Sequence, residues 1–164
     1  MTKRPTKDAV FMAVARAMAT RSTCLRRAVG CVLVNARGHV LATGYNGVAA
    51  GTPHCNQPAT DSALCDAEDV FPHACQGAYV ASGVGLDACE AIHAEQNALL
   101  QCTDVRRIHT CYTTTSPCVH CVKMLLNTGC QRIVFAQEYG HDDAKRWWTD
   151  NIAGPHEWIR LARA

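Results

Sequence analysis

The chain has 164 residues, with 16 Lys and Arg against 14 Asp and Glu for a formal charge of +2. That length buries one sizeable core and leaves little room for a second domain. The near-neutral balance, without a long basic run, speaks against a surface built to grip a polynucleotide backbone. No stretch of about 20 apolar residues exists to span a membrane. The start Met1-Thr2-Lys3-Arg4-Pro5 lacks the apolar core of a signal peptide, so the expectation is a soluble, cytoplasmic protein with no membrane and no nucleic-acid partner.

The first element runs from Asp8 to Thr20, where Val10, Phe11, Val14, Ala17 and Met18 predict one apolar helical face and Pro5 and Thr6 are start signals. Arg21 to Arg27 is polar and basic, and composition alone makes it a solvated loop about as readily as a phosphate site. Val29 to Asn35 and His39 to Gly44 are two β-rich runs joined by Asn35-Ala36-Arg37-Gly38, a hairpin signal. The second run delivers Gly44-Tyr45-Asn46-Gly47, whose glycines permit tight turns.

An aperiodic insertion rich in Gly, Pro, Asp and Cys follows at about 49–88. A loop that long needs a function or a tie. Cys24, Cys55, Cys65, His73, Cys75 and Cys89 offer more soft ligands than a four-coordinate structural zinc requires.

Ile92 to Cys102 then predicts a helix carrying Ala98, Leu99 and Leu100 into the core. Arg107 to Thr115 is β-rich and ends at Ser116-Pro117, which places Cys118 at a strand-to-helix junction. The next helix, Cys118 to Asn127, is closed by Thr128-Gly129. Arg132 to Ala136 reads as a strand, Asp142 to Asn151 as a short helix and Glu157 to Leu161 as an edge strand. Trp147, Trp148 and Trp158 read as packing or subunit-contact residues rather than platforms for bases. The alternation implies an α/β layer fold, a single domain over 1–164 with the Cys-rich insertion inside it.

Eleven cysteines are many, and their odd count fits a disulfide framework poorly. In a reducing compartment Cys/His clusters more often bind metal. Cys31, Cys102, Cys111 and Cys130 sit among apolar residues and read as small core side chains. The chemistry concentrates in His93-Ala94-Glu95 and Pro117-Cys118-Val119-His120-Cys121. One neutral imidazole and two thiolates balance Zn²⁺ and leave a fourth position for water, whose pKa falls to roughly 7. His120, between the two cysteines, is expected to face away. Glu95, two residues from His93, is free for acid/base work, so the set proposes a zinc hydrolase.

His-Ala-Glu with Pro-Cys-x-x-Cys is similar to the signature of the zinc nucleobase deaminases. Arg21-Ser22-Thr23-Cys24-Leu25-Arg26-Arg27, Gly44-Tyr45-Asn46-Gly47, Pro53-His54-Cys55 and His93-Ala94-Glu95-Gln96-Asn97-Ala98 narrow the resemblance to the deoxycytidylate (dCMP) deaminase family, from about Phe11 to Tyr139. The likeness weakens in Asp61 to Leu86 and after Gly140. It implies a three-layer αβα sandwich around a five-stranded mixed sheet. Two helix starts would bring His93, Cys118 and Cys121 onto one catalytic zinc, with Glu95 carrying protons as dCMP becomes dUMP and ammonia.

The resemblance further implies that Asn46 bonds the nucleoside and that Arg26, or failing it Arg27, meets the 5′-phosphate. The Ser116 carbonyl would accept from the amine and Tyr139 would approach the substrate. A second, structural zinc would take Cys24, Cys55 and Cys89, with the fourth ligand open among His73, Cys75 and Cys65; unligated thiols covered by the loop are the equal alternative. A homo-oligomer, a hexamer first, with dCTP and dTTP as effectors and Mg²⁺ beside them, completes the implied picture. Ala49 stands where many relatives have proline, a departure in the effector loop. Competing readings are a deaminase of a 5-modified dCMP or of another base or nucleoside, and a zinc-stabilised binding module.

Overall fold

The computed structural model describes residues 4–57, 71–81, 84, 88–139, 142–150 and 154–162. Helix α1 (Lys7–Ala19) starts at Thr6, whose hydroxyl accepts the Ala9 N–H at 3.2 Å. Met12 and Ala15, both fully buried, form the centre of its inner face, whereas Val10 is 45% exposed. The expected face was therefore off by about a quarter turn, with Phe11 and Met18 common to both: the buried row runs through 8, 11, 12, 15 and 18, the helical i, i+3, i+4, i+7 spacing.

Strands β1 (Gly30–Asn35) and β2 (Val40–Tyr45) form the predicted hairpin. Asn35 Oδ1 accepts the N–H groups of Arg37 and His39, and Gly38 supplies the left-handed residue at φ +87°. Among the described residues of the insertion lies the short 3₁₀ turn Gln76–Tyr79. Helix α2 (Ala94–Gln101), strand β3 (Ile108–Thr115), helix α3 (Val119–Leu126), strand β4 (Arg132–Gln137), helix α4 (Asp142–Asp150) and strand β5 (Glu157–Arg160) follow.

The sheet order is β2-β1-β3-β4-β5, with β1 antiparallel to both β2 and β3, and β3, β4 and β5 mutually parallel in sequence. This is the five-stranded mixed sheet that the resemblance implies, with β5 at one edge. Helix α1 covers one face over Val32, Val34, Tyr112 and Val134. The opposite face packs Cys31, Leu33, Cys111, Ile133 and Phe135 against Ala94 and Ala98 of α2, Val122 and Leu125 of α3, and Trp148 of α4. Three layers result, each face of the sheet buried by the alternation of its strands.

Two glycines set how closely helices approach. A Cβ at Gly30 would overlap the Ala15 carbonyl of α1, and one at Gly44 would overlap the backbone of Ala94 and Ala98 in α2. The second contact fixes the start of α2 against the sheet, where His93 and Glu95 lie. Leu100 is not carried into the core: it is 74% exposed, because the inner face of this eight-residue helix is Ala94, Glu95 and Ala98. Of the tryptophans, Trp148 is fully buried and its indole N–H donates to the Glu157 carbonyl, while Trp158 stacks obliquely on Phe135. Among the described residues no helix is long and apolar enough to cross a membrane.

Candidate active site

Two helix N-termini converge at the end of the sheet. His93 is the N-cap of α2 and its backbone N–H donates to Gln96 Oε1 at 2.9 Å. Cys118 is the N-cap of α3, directly after Pro117 and one strand end away from Thr115. Thiolate at such a start is favoured by the first-turn N–H groups.

His93 Nδ1 lies 3.4 Å from Cys118 Sγ and 3.5 Å from Cys121 Sγ. Tetrahedral zinc, with Zn–N about 2.05 Å and Zn–S about 2.3 Å, separates such atoms by about 3.5 Å, so the donor set fits the ion. These three residues are the one group of possible metal ligands among the described residues whose atoms all lie within 4.8 Å of one another. His120 points out to solvent.

The three donors are electrostatically coupled. A hydrogen bond from Cys121, supported by His93 and opposed by burial, holds Cys118 down to about 3. Cys121 is pushed up, first by Cys118 and then by burial, and His93 is raised by its bond to Cys118. Two thiols and an imidazole thus share protons that a divalent cation would displace.

Glu95, in the first turn of α2, is 3% exposed. Its Oε2 lies 3.6 Å from Cys121 Sγ, and its Oε1 is 3.2 Å from the Thr113 hydroxyl. Burial raises its carboxyl above the ordinary value. His93, Cys118 and Glu95 line a pocket whose wall continues through Asn46, Arg26, Arg27, Ser116 and Tyr139, with Cys24 and Cys89 at the insertion side. Each substrate residue expected from the sequence therefore reaches the same cavity.

Within the chain these residues also make contacts of their own. Asn46 Oδ1 accepts the Ser22 hydroxyl at 2.7 Å and the Val29 N–H at 2.8 Å, and its amide donates to the Arg27 carbonyl at 2.7 Å. Asn46 consequently holds the 22–29 loop, with one amide hydrogen left for a ligand. Arg26 Nη1 donates to the carbonyls of Gly77 and Val84, tying the insertion to the pocket. The Arg27 guanidinium lies over the Tyr139 ring, 5.5 Å from its centroid. Ser116 is fixed by its Oγ accepting the Tyr139 N–H at 2.6 Å.

The insertion cysteines gather beside this wall. Cys55 and Cys75 are buried with Ala78, and Cys89, Leu25 and Val48 pack on them. Burial opposes it, yet the Glu90 backbone and hydrogen bonds from the Cys55 and Cys89 thiols draw Cys75 below the ordinary thiol value. Burial raises Cys55 and Cys89, and Cys24 repels both thiolates. His73 is solvent-exposed, and Cys65 lies outside the described residues. Sequence reasoning missed Ser22 and Thr113: both are small hydroxyl residues whose roles depend on partners distant along the chain.

The family model described as the cytidine and deoxycytidylate deaminase zinc-binding region matches residues 5–137. The deoxycytidylate deaminase of Mycobacterium phage D29 is 37% identical over 141 residues, 82% of this chain and 98% of the phage protein. That of Schizosaccharomyces pombe is also 37% identical, over 85% of this chain, but the chain spans only 39% of that longer protein. Among solved structures, the dCMP deaminase of cyanophage S-TIM5 in complex with dCMP and dUMP aligns with a TM-score of 0.62 and 25% identity, over 89% of this chain and 92% of that one.

Proposed function

Because this chain belongs to the cytidine and deoxycytidylate deaminase zinc-binding family, we propose that it hydrolyses dCMP to dUMP and ammonia. The observation that carries the reading is the placement of Glu95 Oε2 beside a three-donor metal set that lacks a fourth protein ligand among the described residues. A closed structural site would have four. His93, Cys118 and Cys121 would hold zinc, which when bound supplies the Lewis acidity that makes water a nucleophile near neutral pH.

Glu95 takes a proton from the attacking water and delivers one to ring N3, which makes C4 electrophilic. It then takes the remaining proton from the hydroxyl now on C4 and carries it to the departing amine, which donates an N–H to the Ser116 carbonyl. Water has added its oxygen to C4 and ammonia leaves, so atoms and protons balance. The buried position of Glu95 keeps bulk water from competing for these protons.

At the mouth, Arg27 is the better partner for the 5′-phosphate. Its guanidinium is presented on the Tyr139 ring, whereas Arg26 already spends Nη1 on two carbonyls of the insertion. Asn46 offers its remaining amide hydrogen to the sugar and, by holding the Arg27 carbonyl, fixes the loop that carries the cation.

A second, structural zinc would take Cys24, Cys55, Cys75 and Cys89. Cys55, Cys75 and Cys89 pack in one buried cluster, and the exposure of His73 favours Cys75 as the fourth ligand. No three of the four thiols lie within 4.8 Å of one another, so the ion would have to draw them together. Two zinc ions per chain, falling to one in Cys55→Ala, would bear this out; one ion in the wild type would remove it. Homo-hexamer assembly, activation by dCTP and inhibition by dTTP with Mg²⁺ belong to the same reading.

Incubation of zinc-loaded protein with dCMP, cytidine, cytosine and 5-hydroxymethyl-dCMP, with and without dCTP, tests the proposal by the change in absorbance on loss of the amine. Turnover of dCMP but not cytidine is expected. Preference for the 5-modified nucleotide would move the assignment to that substrate, and no turnover with zinc bound would end it.

A further inference from the structure

The sheet brings one more polar group to the catalytic carboxylate. Thr113 sits in β3, paired with Cys31 of β1 on one side and Phe135 of β4 on the other, and it is fully buried. A β-branched side chain suits a central strand, but valine would suit it without burying a hydroxyl. On the same face of the sheet the thiols of Cys31 and Cys111 contact each other at 3.6 Å, so the surroundings are otherwise weakly polar.

The Thr113 hydroxyl has one hydrogen and two acceptors in reach, the Thr115 carbonyl at 2.9 Å and Glu95 Oε1 at 3.2 Å, so that hydrogen is shared between the sheet backbone and the carboxylate. The other carboxylate oxygen, Oε2, is the one that faces Cys121 and the metal triangle. The last torsion of glutamate is broad and roughly two-fold, so rotamer preference does not fix the plane of the carboxylate. Hydrogen bonds have to, and beside the Glu95 backbone N–H, which reaches its own carboxylate, Thr113 supplies the one that comes from the sheet. Thr113 itself is not part of the pocket wall.

We propose that Thr113 is a positioning residue for the deamination, anchoring Glu95 Oε1 in the sheet so that Oε2 is held toward the reacting water and ring. The inference rests on the role of Glu95 in the proposed function. A carboxylate that rotates freely would spend much of its time off the productive line, and misplacement on the scale of 1 Å costs up to about 100-fold in rate.

Zinc-loaded wild type, Thr113→Val and Thr113→Ser are compared for kcat and KM with dCMP and for zinc content. Thr113→Val, which keeps the shape and removes the hydroxyl, is expected to lower kcat by about 10- to 100-fold with KM and zinc nearly unchanged. Thr113→Ser, which keeps the hydroxyl and loses a methyl, should recover most of the rate. A packing role gives the opposite order, with valine near wild type and serine impaired, and overturns the proposal. Equal loss in both, or loss of zinc from the valine variant, also overturns it. If the valine variant does not fold, Thr113→Cys, a weak donor of similar size, takes its place against serine. Crystal structures of wild type and Thr113→Val supply a readout independent of turnover: a carboxylate turned from its wild-type plane supports the proposal, and an unchanged one refutes it. Should the wild type leave dCMP untouched, the substrate assignment falls, and the two carboxylate orientations still decide the role of Thr113.

Discussion

Glu95 Oε2 and Cys121 Sγ lie 3.6 Å apart across the junction of α2 and α3, so the proposed acid/base group and a candidate metal ligand face one small volume. The carboxylate is not itself one of the three clustered donors. Glu95→Gln should therefore retain zinc while losing the ability to move protons. General acid/base work contributes about 10²- to 10⁴-fold, and a fall in dCMP turnover of at least that size is expected. Metal analysis beside the rate assay checks it: a variant with full zinc and near-normal turnover would remove Glu95 from the mechanism.

Loss of a ligand should act differently. Cys121→Ser leaves His93 and Cys118 with one thiolate fewer, and zinc prefers the thiolate pair at this spacing. Zinc content and activity are expected to fall together and to be partly restored by excess Zn²⁺. A Cys121→Ser protein that keeps stoichiometric zinc at low free metal would show that the ion sits elsewhere.

Arg27→Ala separates phosphate recognition from chemistry. A charge-assisted bond to phosphate contributes about 1.5–3 kcal/mol, so kcat/KM for dCMP should drop by roughly 10- to 100-fold, with little change in any residual rate on cytidine. Arg26→Ala, which frees the carbonyls of Gly77 and Val84, should instead loosen the insertion and lower thermal stability as well as affinity. Kinetics on both substrates, with melting curves, distinguish the two arginines; a dCMP-specific loss in Arg26→Ala alone would reverse the assignment.

Periodicity and local signals carried the order of helices and strands, because each element has its own start or stop: Thr6 caps α1, Gly38 turns the hairpin and Pro117 opens α3. The metal set was legible for a similar reason, since Cys118 and Cys121 are one helical turn apart and His93 is tied to Glu95 by short spacing. What could not be read depended on direction. Val10 and Met12 are both apolar, and only the approach of α1 at Gly30 decides which one is buried. Leu100 was expected inside, but α2 is so tightly seated at Gly44 that small residues fill its inner face. The proposed preference for Arg27 over Arg26 rests on Arg26 partners 51 and 58 residues away, which no local pattern encodes.

Away from the pocket, Tyr112 joins the layers through a bond that should be visible in stability. Its hydroxyl donates to Asp8 Oδ1 at 2.7 Å, Asp8 also meets Arg132 at 3.4 Å, and the ring packs against Phe11 of α1. Burial first, and then the Asp8 carboxylate, raise the Tyr112 pKa above its ordinary value. An unfolded tyrosine ionises near about pH 10, so above that pH the unfolded chain has released a proton that the folded chain still holds. Folding stability therefore falls as pH rises through this window, and the contribution is fully present below it. Tyr112→Phe removes the hydrogen bond and the titration together. At neutral pH it should cost about 1 kcal/mol, and the gap to wild type should narrow as pH climbs past about 10. Urea unfolding of both proteins across that range measures the difference, in which the alkaline titration of other groups cancels. A gap that stays constant with pH would mean that the Tyr112 proton is not held by the fold.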